Sequence, residues 1–151
     1  AWAGGTYKVL HAFGKGNDGG GVFAGVISDA NGNLYGTTSG GGAYNSGTVF
    51  RVSPARKGRW TETILHSFCS PPDCTDGALP MVGVTLGASG YLYGRSNTAT
   101  FQMTPGSAAA PGWGFQVIYD SGSDGLVLGK GGNLYAERGV LASTEKETFS
   151  N

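Results

Sequence analysis

The chain has 151 residues, which suits one domain of ordinary size. Its ten basic and ten acidic side chains cancel and form no charge block, so the sequence lacks the basic surface of a nucleic-acid-binding protein and the polybasic patch of a membrane-binding one. The 29 glycines follow no three-residue period, which excludes collagen. They separate runs that contain seven Phe, seven Tyr and three Trp residues, which a disordered chain would lack. We therefore predict an all-β protein with many turns.

The first predicted elements in chain order are four short strands, at residues 7–13, 23–28, 33–38 and 48–53. The Asn31-Gly32 pair predicts a tight hairpin between the second and third of these strands, because such a turn needs positive φ angles. Pro54 ends the fourth strand, and Trp60 introduces the next, at residues 61–68. No apolar run reaches the length of a membrane helix, so we expect no membrane insertion.

These elements recur along the chain. The segment YKVLHAF at residues 7–13 returns as TETILHSF at 61–68 and, more weakly, as FQVIYDS at 115–121. GNLYGTT at 32–38 returns at 90–96 and 132–138, and GTVFRVSP at 47–54 returns at 99–105 and, degraded, at 147–151. An Asp-Gly pair follows each first element, at Asp18, Asp76 and Asp124. The repeat length of about 42–58 residues suits a four-stranded propeller blade.

The repeats predict one domain over residues 1–151, made of three four-stranded antiparallel propeller-type blades. The repeats span about residues 6–59, 60–112 and 113–151. The longest loops follow Phe13, Phe68 and Ser121, so we place the crossings between blades there. On this phase the chain begins with the lone final strand of a blade, continues with two full blades and closes with three strands of another. The last blade then lacks its fourth strand.

The stretch DANGNLYGTTSGGGAYNSGTVFRVSP at residues 29–54, followed by WTETILHSF at 60–68, resembles the GloVer tandem repeat. The resemblance covers nearly the whole chain and is weakest in the third unit. It implies a secreted or surface-anchored bacterial protein with β-propeller-like repeats. It carries over no catalytic or binding residues. Members of that family usually have more than three repeats, so this chain departs from the family's pattern.

Two kinds of residue suggest metal or acid–base chemistry. His11 and His66 hold the same place in two repeats, where Tyr119 stands in the third. They are interpreted either as metal ligands or catalytic bases, or as structural histidines bonded to a neighbouring turn, and the recurrence favours the structural role. Asp29 opens a segment similar to the start of a calcium loop, but a hairpin turn fits its spacing better.

The CSPPDC segment places Cys69 and Cys74 five residues apart in a Pro-rich loop. A metal site or a redox pair is the alternative, but the spacing is not Cys-x-x-Cys. We favour a disulfide, which indicates an oxidising compartment and hence an extracellular or cell-surface protein in its mature form. No signal segment begins the sequence.

One contrast between the repeats suggests a ligand site. Thr37-Thr38 in the first unit becomes Arg95-Ser96 in the second and Glu137-Arg138 in the third. Such charges near Trp113 or Tyr44 are able to bind a glycan, and the alternative is ordinary surface drift between degenerate repeats.

The leading hypothesis is a secreted, non-enzymatic structural or interaction module without cofactors. It assembles with copies of itself into a ring or a filament, by completing the unfinished blade of a neighbour. The strand exchange involves Tyr7, Val9, Leu10, His11 and Phe13 at one end of the chain and Phe149 at the other. The alternatives are a carbohydrate-binding propeller and a fragment of a longer propeller with an enzymatic or adhesive role.

Overall fold

The computed structural model describes residues 5–108 and 112–119, together with the backbone of three later strands, and it is all-β with almost no helix. Two short 3-10 turns, Arg56–Gly58 and Ala88–Gly90, are the helical elements of this part of the chain. The strands are β1 Ile27–Ser28, β2 Leu34–Thr38, β3 Thr48–Pro54, β4 Trp60–Ser67, β5 Thr85–Leu86, β6 Leu92–Arg95, β7 Thr100–Thr104, β8 Gly114–Tyr119, β9 Gly125–Leu128, β10 Leu134–Glu137 and β11 Lys146–Phe149.

The strands form antiparallel sheets in which neighbours along the chain are neighbours in space. β1 to β4 make the first sheet and β5 to β8 the second, each with four strands in sequence order. β9, β10 and β11 make a third sheet, which has three strands among the described residues, with β10 in the middle. The all-β prediction and the two four-stranded sheets are therefore confirmed.

The first strand of each four-stranded sheet has only two residues, which is shorter than predicted for the first sheet. Only Ile27–Ser28 of the predicted strand at residues 23–28 pairs with β2, and Thr85–Leu86 pairs likewise with β6. Gly25 and Gly83 precede these pairs, and the Gly25 carbonyl would lie 3.0 Å from a Cβ at residue 83. Glycine weakens strand pairing and marks close backbone approach, so the two strands begin only after these positions.

The first two sheets repeat even their irregularities. The β3–β4 register shifts between Val49 and Phe50, and the β7–β8 register shifts between the equivalent residues Thr100 and Phe101. A bulge at the same place in both sheets bends the last strand in the same way. The internal repeat is therefore a repeat of backbone geometry as well as of sequence.

A Leu-Tyr-Gly triplet in each of the two four-stranded sheets explains how the large aromatic side chains pack. Gly36 pairs with Phe50 across the ladder, and a Cβ at residue 36 would lie 2.6 Å from the Cζ atom of that ring. Gly94 and Phe101 repeat this arrangement. The glycine leaves room for a phenylalanine ring to lie across the neighbouring strand, which no larger residue allows.

The main hydrophobic core lies between the first and second sheets. Phe68, which directly follows β4, and Leu92 on β6 are both 0 % exposed. The buried cluster consists of Tyr35, Val49, Phe68, Val84, Leu92, Phe101 and Met103. Of the Leu–Tyr pairs, Tyr35 is buried in the first sheet and both Leu92 and Tyr93 are buried in the second. The equivalent side chains at residues 134 and 135 lie outside the described residues.

The prediction of a strand at residues 7–13 is wrong for this structure. Within the described part of the chain this segment belongs to no sheet. It lies against the first sheet through its Phe13 ring, whose centroid is 4.7 Å from that of Phe50. A strand requires an adjacent backbone with which to form hydrogen bonds, and the first sheet already has its four strands.

The Asp29 segment forms a hairpin turn between β1 and β2. The Asp29 carboxylate accepts hydrogen bonds from the backbone N–H groups of Asn31 and Asn33, from the Asn33 amide and from the Tyr35 hydroxyl, at 2.7–3.0 Å. Burial raises the pKa of Asp29, but these donors outweigh that effect and hold the pKa below its usual value. Both carboxylate oxygens thus serve the turn, as the hairpin interpretation predicts.

Candidate functional site

The N-terminal segment packs on the first sheet as the end of β4 packs on the second. The His11 and Phe13 rings meet edge to face, 4.5 Å apart, and Phe13 contacts Phe50 of the first sheet. In the second instance His66 and Phe68 meet edge to face, 4.9 Å apart, and Phe68 contacts Phe101 of the second sheet at 5.3 Å. Residues 7–13 therefore lie against the first sheet in the way that the end of β4, the fourth strand of the first sheet, lies against the second.

An aspartate side chain contacts the histidine of each of these two ring pairs. The His11 Nε2 atom lies 3.2 Å from Oδ2 of Asp18, whose Oδ1 accepts hydrogen bonds from the backbone N–H groups of Gly14 and Lys15. We call this arrangement the first clamp, and the equivalent arrangement around Asp76 the second clamp. There the His66 Nε2 atom lies 2.9 Å from Oδ2 of Asp76.

In the second clamp, Oδ1 of Asp76 accepts the backbone N–H groups of Cys69 and Ser70, at 3.1 and 3.3 Å. In each clamp, therefore, the aspartate links a histidine ring to the backbone of the loop that leads into the next sheet. This is the contact that the structural interpretation of His11 and His66 predicts. No group of three metal-ligating side chains occurs among the described residues.

The second clamp is the more buried of the two. The His66 ring stacks on the Phe115 ring of β8, with centroids 3.7 Å apart and planes 8° from parallel. Burial lowers the pKa of His66, although the hydrogen bond to the Asp76 carboxylate opposes this effect by favouring the protonated ring. His66 is therefore neutral in the folded protein at pH values where the unfolded chain begins to bind a proton.

We expect acidification to destabilise the protein through His66. Because its folded pKa lies below the unfolded value of about 6.5, the unfolded state binds more protons as the pH falls through that value, and the free energy of unfolding decreases. Thermal unfolding of the wild type and of His66→Gln at pH 7.5 and 5.5 measures this effect, and the variant should show the smaller change. Equal pH dependence in the wild type and in His66→Gln would contradict the assignment.

The two cysteines lie in the loop that the second clamp holds. Cys69 and Cys74 are paired at disulfide distance, with their Cα atoms 3.9 Å apart, as predicted. The backbone N–H of Cys69 also bonds to Asp76, so the disulfide and the clamp constrain the same crossing between the first and second sheets. The first crossing, after Phe13, has the aspartate clamp and contains no cysteine.

The residues proposed as a glycan site do not lie together. Arg95 and Tyr93 share one face of β6, because they are two residues apart, while Leu92 faces the first sheet from the other. Trp113 packs on that other side, with its ring 5.9 Å from Tyr35 of the first sheet. Arg95 and Trp113 are thus on opposite faces of the second sheet. Glu137 lies on β10 with its side chain undescribed, and Arg138 lies outside the described residues.

Tyr44 is the most exposed of the aromatic residues considered for sugar binding, with 44 % of its surface accessible. It lines a shallow pocket of about 380 Å³ together with His66, Ser67 and Ser70. The pocket lies beside the second clamp, so a ligand there would contact the end of β4 and the cysteine loop.

The pairing of histidine with aspartate was not predicted, although both residues were recognised as recurring. The signal lay in their order: each histidine is followed within ten residues by an Asp-Gly pair, at Asp18 and Asp76. An apolar groove between the first sheet and residues 7–13, lined by Val22 and Val26, was also not predicted, because exposure of an apolar side chain depends on packing between sheets, which a repeat pattern does not reveal.

No helix in the described part of the chain is long and apolar enough to cross a membrane. Comparisons with family models, with curated proteins and with solved structures give no match for this sequence.

Proposed function

We propose that this chain is a secreted, non-enzymatic interaction module that assembles with its own copies by strand exchange. The observation that carries the proposal is the packing of residues 7–13, which contact the first sheet as the end of β4 contacts the second. In this structure Tyr7 is 90 % exposed and Val9 is 60 % exposed. An apolar segment in a fourth-strand place, but without a sheet of its own, is suited to complete the sheet of a neighbour.

The third sheet offers the matching edge. β4 pairs with β3 in the first sheet and β8 with β7 in the second, so a fourth strand joins the third strand of its sheet. The third strand of the third sheet is β11, and it lies at the outside of the described order β9, β10, β11. Residues 7–13 of another copy would pair there as β4 pairs with β3.

The register of that pairing follows from the repeat. In the first sheet Val52 pairs with Leu34 on one side and with Glu62 on the other. Phe149 pairs with Leu134, the equivalent of Leu34, so it holds the position of Val52. Aligning YKVLHAF with TETILHSF at their histidines places Tyr7 at the position of Glu62. We therefore propose that Tyr7 of one copy lies opposite Phe149 of another.

Pairing between copies suits a propeller-type assembly better than closure within one chain. Three blades fall below the usual range of about four to eight, whereas two exchanged chains supply six. A head-to-tail contact of this kind gives a ring when its rotation closes and a filament when it does not. The rival arrangement is a longer array in which further repeats supply the missing strand. The disulfide suits an oxidising, extracellular location, and the resemblance to the GloVer repeat points the same way.

Removal of residues 1–13 should abolish assembly while leaving the two four-stranded sheets folded. The deleted segment contributes no strand to either sheet, so the far-ultraviolet circular dichroism should change little. Sedimentation velocity at micromolar concentrations should show oligomers for the full chain and monomers for the deletion variant. A full chain that remains monomeric at these concentrations would contradict strand exchange.

A crosslinking experiment tests the register and excludes closure within one chain. A Tyr7→Cys chain is mixed with a Phe149→Cys chain and oxidised, so that a new bond between these positions must join two molecules. We expect a heterodimer on a non-reducing gel. The control pair, Tyr7→Cys with Thr148→Cys, shifts the partner by one residue and should crosslink much less, since adjacent residues of a strand point to opposite faces.

A second candidate function is carbohydrate binding at the pocket beside Tyr44. The exposed Tyr44 ring and the neighbouring hydroxyls of Ser67 and Ser70 combine an apolar platform with polar groups, which is the composition of a small-ligand site. Screening on a glycan array tests it. Saturable binding that Tyr44→Ala removes would support it, and the absence of binding would favour the assembly function alone.

A further inference from the structure

An apolar groove of about 260 Å³ lies between the first sheet and residues 7–13. Its sheet side is formed by Val22, Val26, Leu34, Phe50 and Val52. Val22 is 41 % exposed and Val26 is 47 % exposed, so the groove opens to solvent. Adjacent apolar side chains left open in this way mark a surface that another molecule covers.

The same face of the second sheet is covered. Val84 is the equivalent of Val26 and is 4 % exposed, and Leu92 is the equivalent of the half-buried Leu34 and is 0 % exposed. The first sheet provides the cover through the core cluster that includes Tyr35 and Val49.

Polar contacts hold the two sheets together at this interface. The Thr37 hydroxyl donates to the Val82 carbonyl at 2.8 Å, and the Leu79 N–H donates to the Ser46 carbonyl at 2.8 Å. The face of the second sheet that corresponds to the open face of the first is therefore covered by the sheet that precedes it in the chain.

We infer that the groove of the first sheet is the docking surface for the third sheet of a second copy, an inference that rests on the proposed strand exchange. Residues 7–13 already lie on the first sheet as the end of β4 lies on the second. When β11 of another copy pairs with them, they become the fourth strand of its third sheet. That sheet then meets the groove as the first sheet meets Val84 and Leu92. Strand donation and groove docking are two contacts of one interface.

Charge substitutions in the groove test this surface separately from the donated strand. Val26→Asp and Val22→Asp place a carboxylate in the groove at side chains that are nearly half exposed in the single chain, so each variant should fold. Met81→Asp is the control, because Met81 is 63 % exposed and lies on the second sheet's side, away from the groove. Sedimentation velocity over a concentration series gives the dissociation constant for each, and thermal unfolding at the lowest concentration checks the fold.

We expect each groove variant to raise the dissociation constant at least about tenfold and the control to change it less than about twofold, since a buried, unpaired charge opposes association. If both groove variants assemble like the wild type while deletion of residues 1–13 prevents assembly, groove docking is wrong and strand donation stands. If the wild type itself does not assemble, both are wrong. An equal loss of association in Met81→Asp would also overturn the assignment, because the effect would then not be specific to the groove.

Discussion

Substitution of Leu92 by alanine should lower the free energy of unfolding by about 2–5 kcal/mol, the range for a large aliphatic side chain removed from a packed core. Leu92 is 0 % exposed, and it lies in the cluster that joins the first and second sheets. Its loss leaves a cavity beside Phe101 and Met103, whose ring and thioether are also fully buried. Chemical denaturation of the two proteins, followed by tryptophan fluorescence, measures the difference.

Leu34→Ala is the matched control, because Leu34 holds the equivalent position in the first sheet and is only half-buried. We expect it to cost clearly less than Leu92→Ala when both are measured on the monomer. The two variants change the same residue type at the same repeat position, and they differ in whether another sheet covers that face of the sheet. A cost for Leu92→Ala below about 0.5 kcal/mol, the usual effect of a surface change, would place that residue outside the core.

The order of the strands was predictable because each repeat carries its own local signals. Asn31-Gly32 predicts the β1–β2 hairpin, and Leu-Tyr followed by glycine predicts the second strand of each four-stranded sheet. These are short-range features, in which turn chemistry and side-chain alternation act within a few residues. The grouping of strands into sheets followed from the lengths of the loops, and the orders β1 to β4 and β5 to β8 confirm the first two groups.

The state of residues 7–13 was not predictable in the same way. Their sequence is similar to that of β4, yet a strand forms only when a neighbouring edge is present, and the repeat pattern does not supply one within the chain. The histidine and aspartate clamps escaped prediction for a related reason. Both residues recur, but their contact depends on how a crossing loop folds back by seven residues in one case and ten in the other.

The residues predicted to bind a glycan show the same limit of prediction from sequence. Arg95 was grouped with Trp113 because a charge replaces a small residue at its position and a charge near an aromatic ring is able to bind a glycan, but the structure places the two residues on opposite faces of the second sheet. Sequence position alone does not say which face of a sheet meets another sheet. Thr37, at the place of Arg95, is 2 % exposed and donates its hydroxyl hydrogen to the next sheet, so this position belongs to contacts between sheets.

Substitution of Asp76 by alanine should destabilise the protein by about 2–4 kcal/mol, because it leaves buried hydrogen-bond donors without an acceptor. Asp76 is 7 % exposed, and its carboxylate accepts from the backbone N–H groups of Cys69 and Ser70 as well as contacting His66. Water reaches this place poorly, since the His66 ring is stacked under Phe115. The substitution therefore weakens both the cysteine loop and the contact between the first and second sheets.

The control for this substitution is Asp73→Ala, which removes the same charge three residues earlier, at an exposed position inside the disulfide loop. It should change the free energy of unfolding by less than about 0.5 kcal/mol. Asp76→Asn distinguishes the carboxylate's charge from its shape. An amide oxygen still accepts from the two backbone N–H groups, so this variant should recover part of the loss seen in Asp76→Ala. If Asp76→Ala and Asp73→Ala have equal effects, the second clamp does not stabilise the crossing between the sheets, and the loop would depend on its disulfide alone.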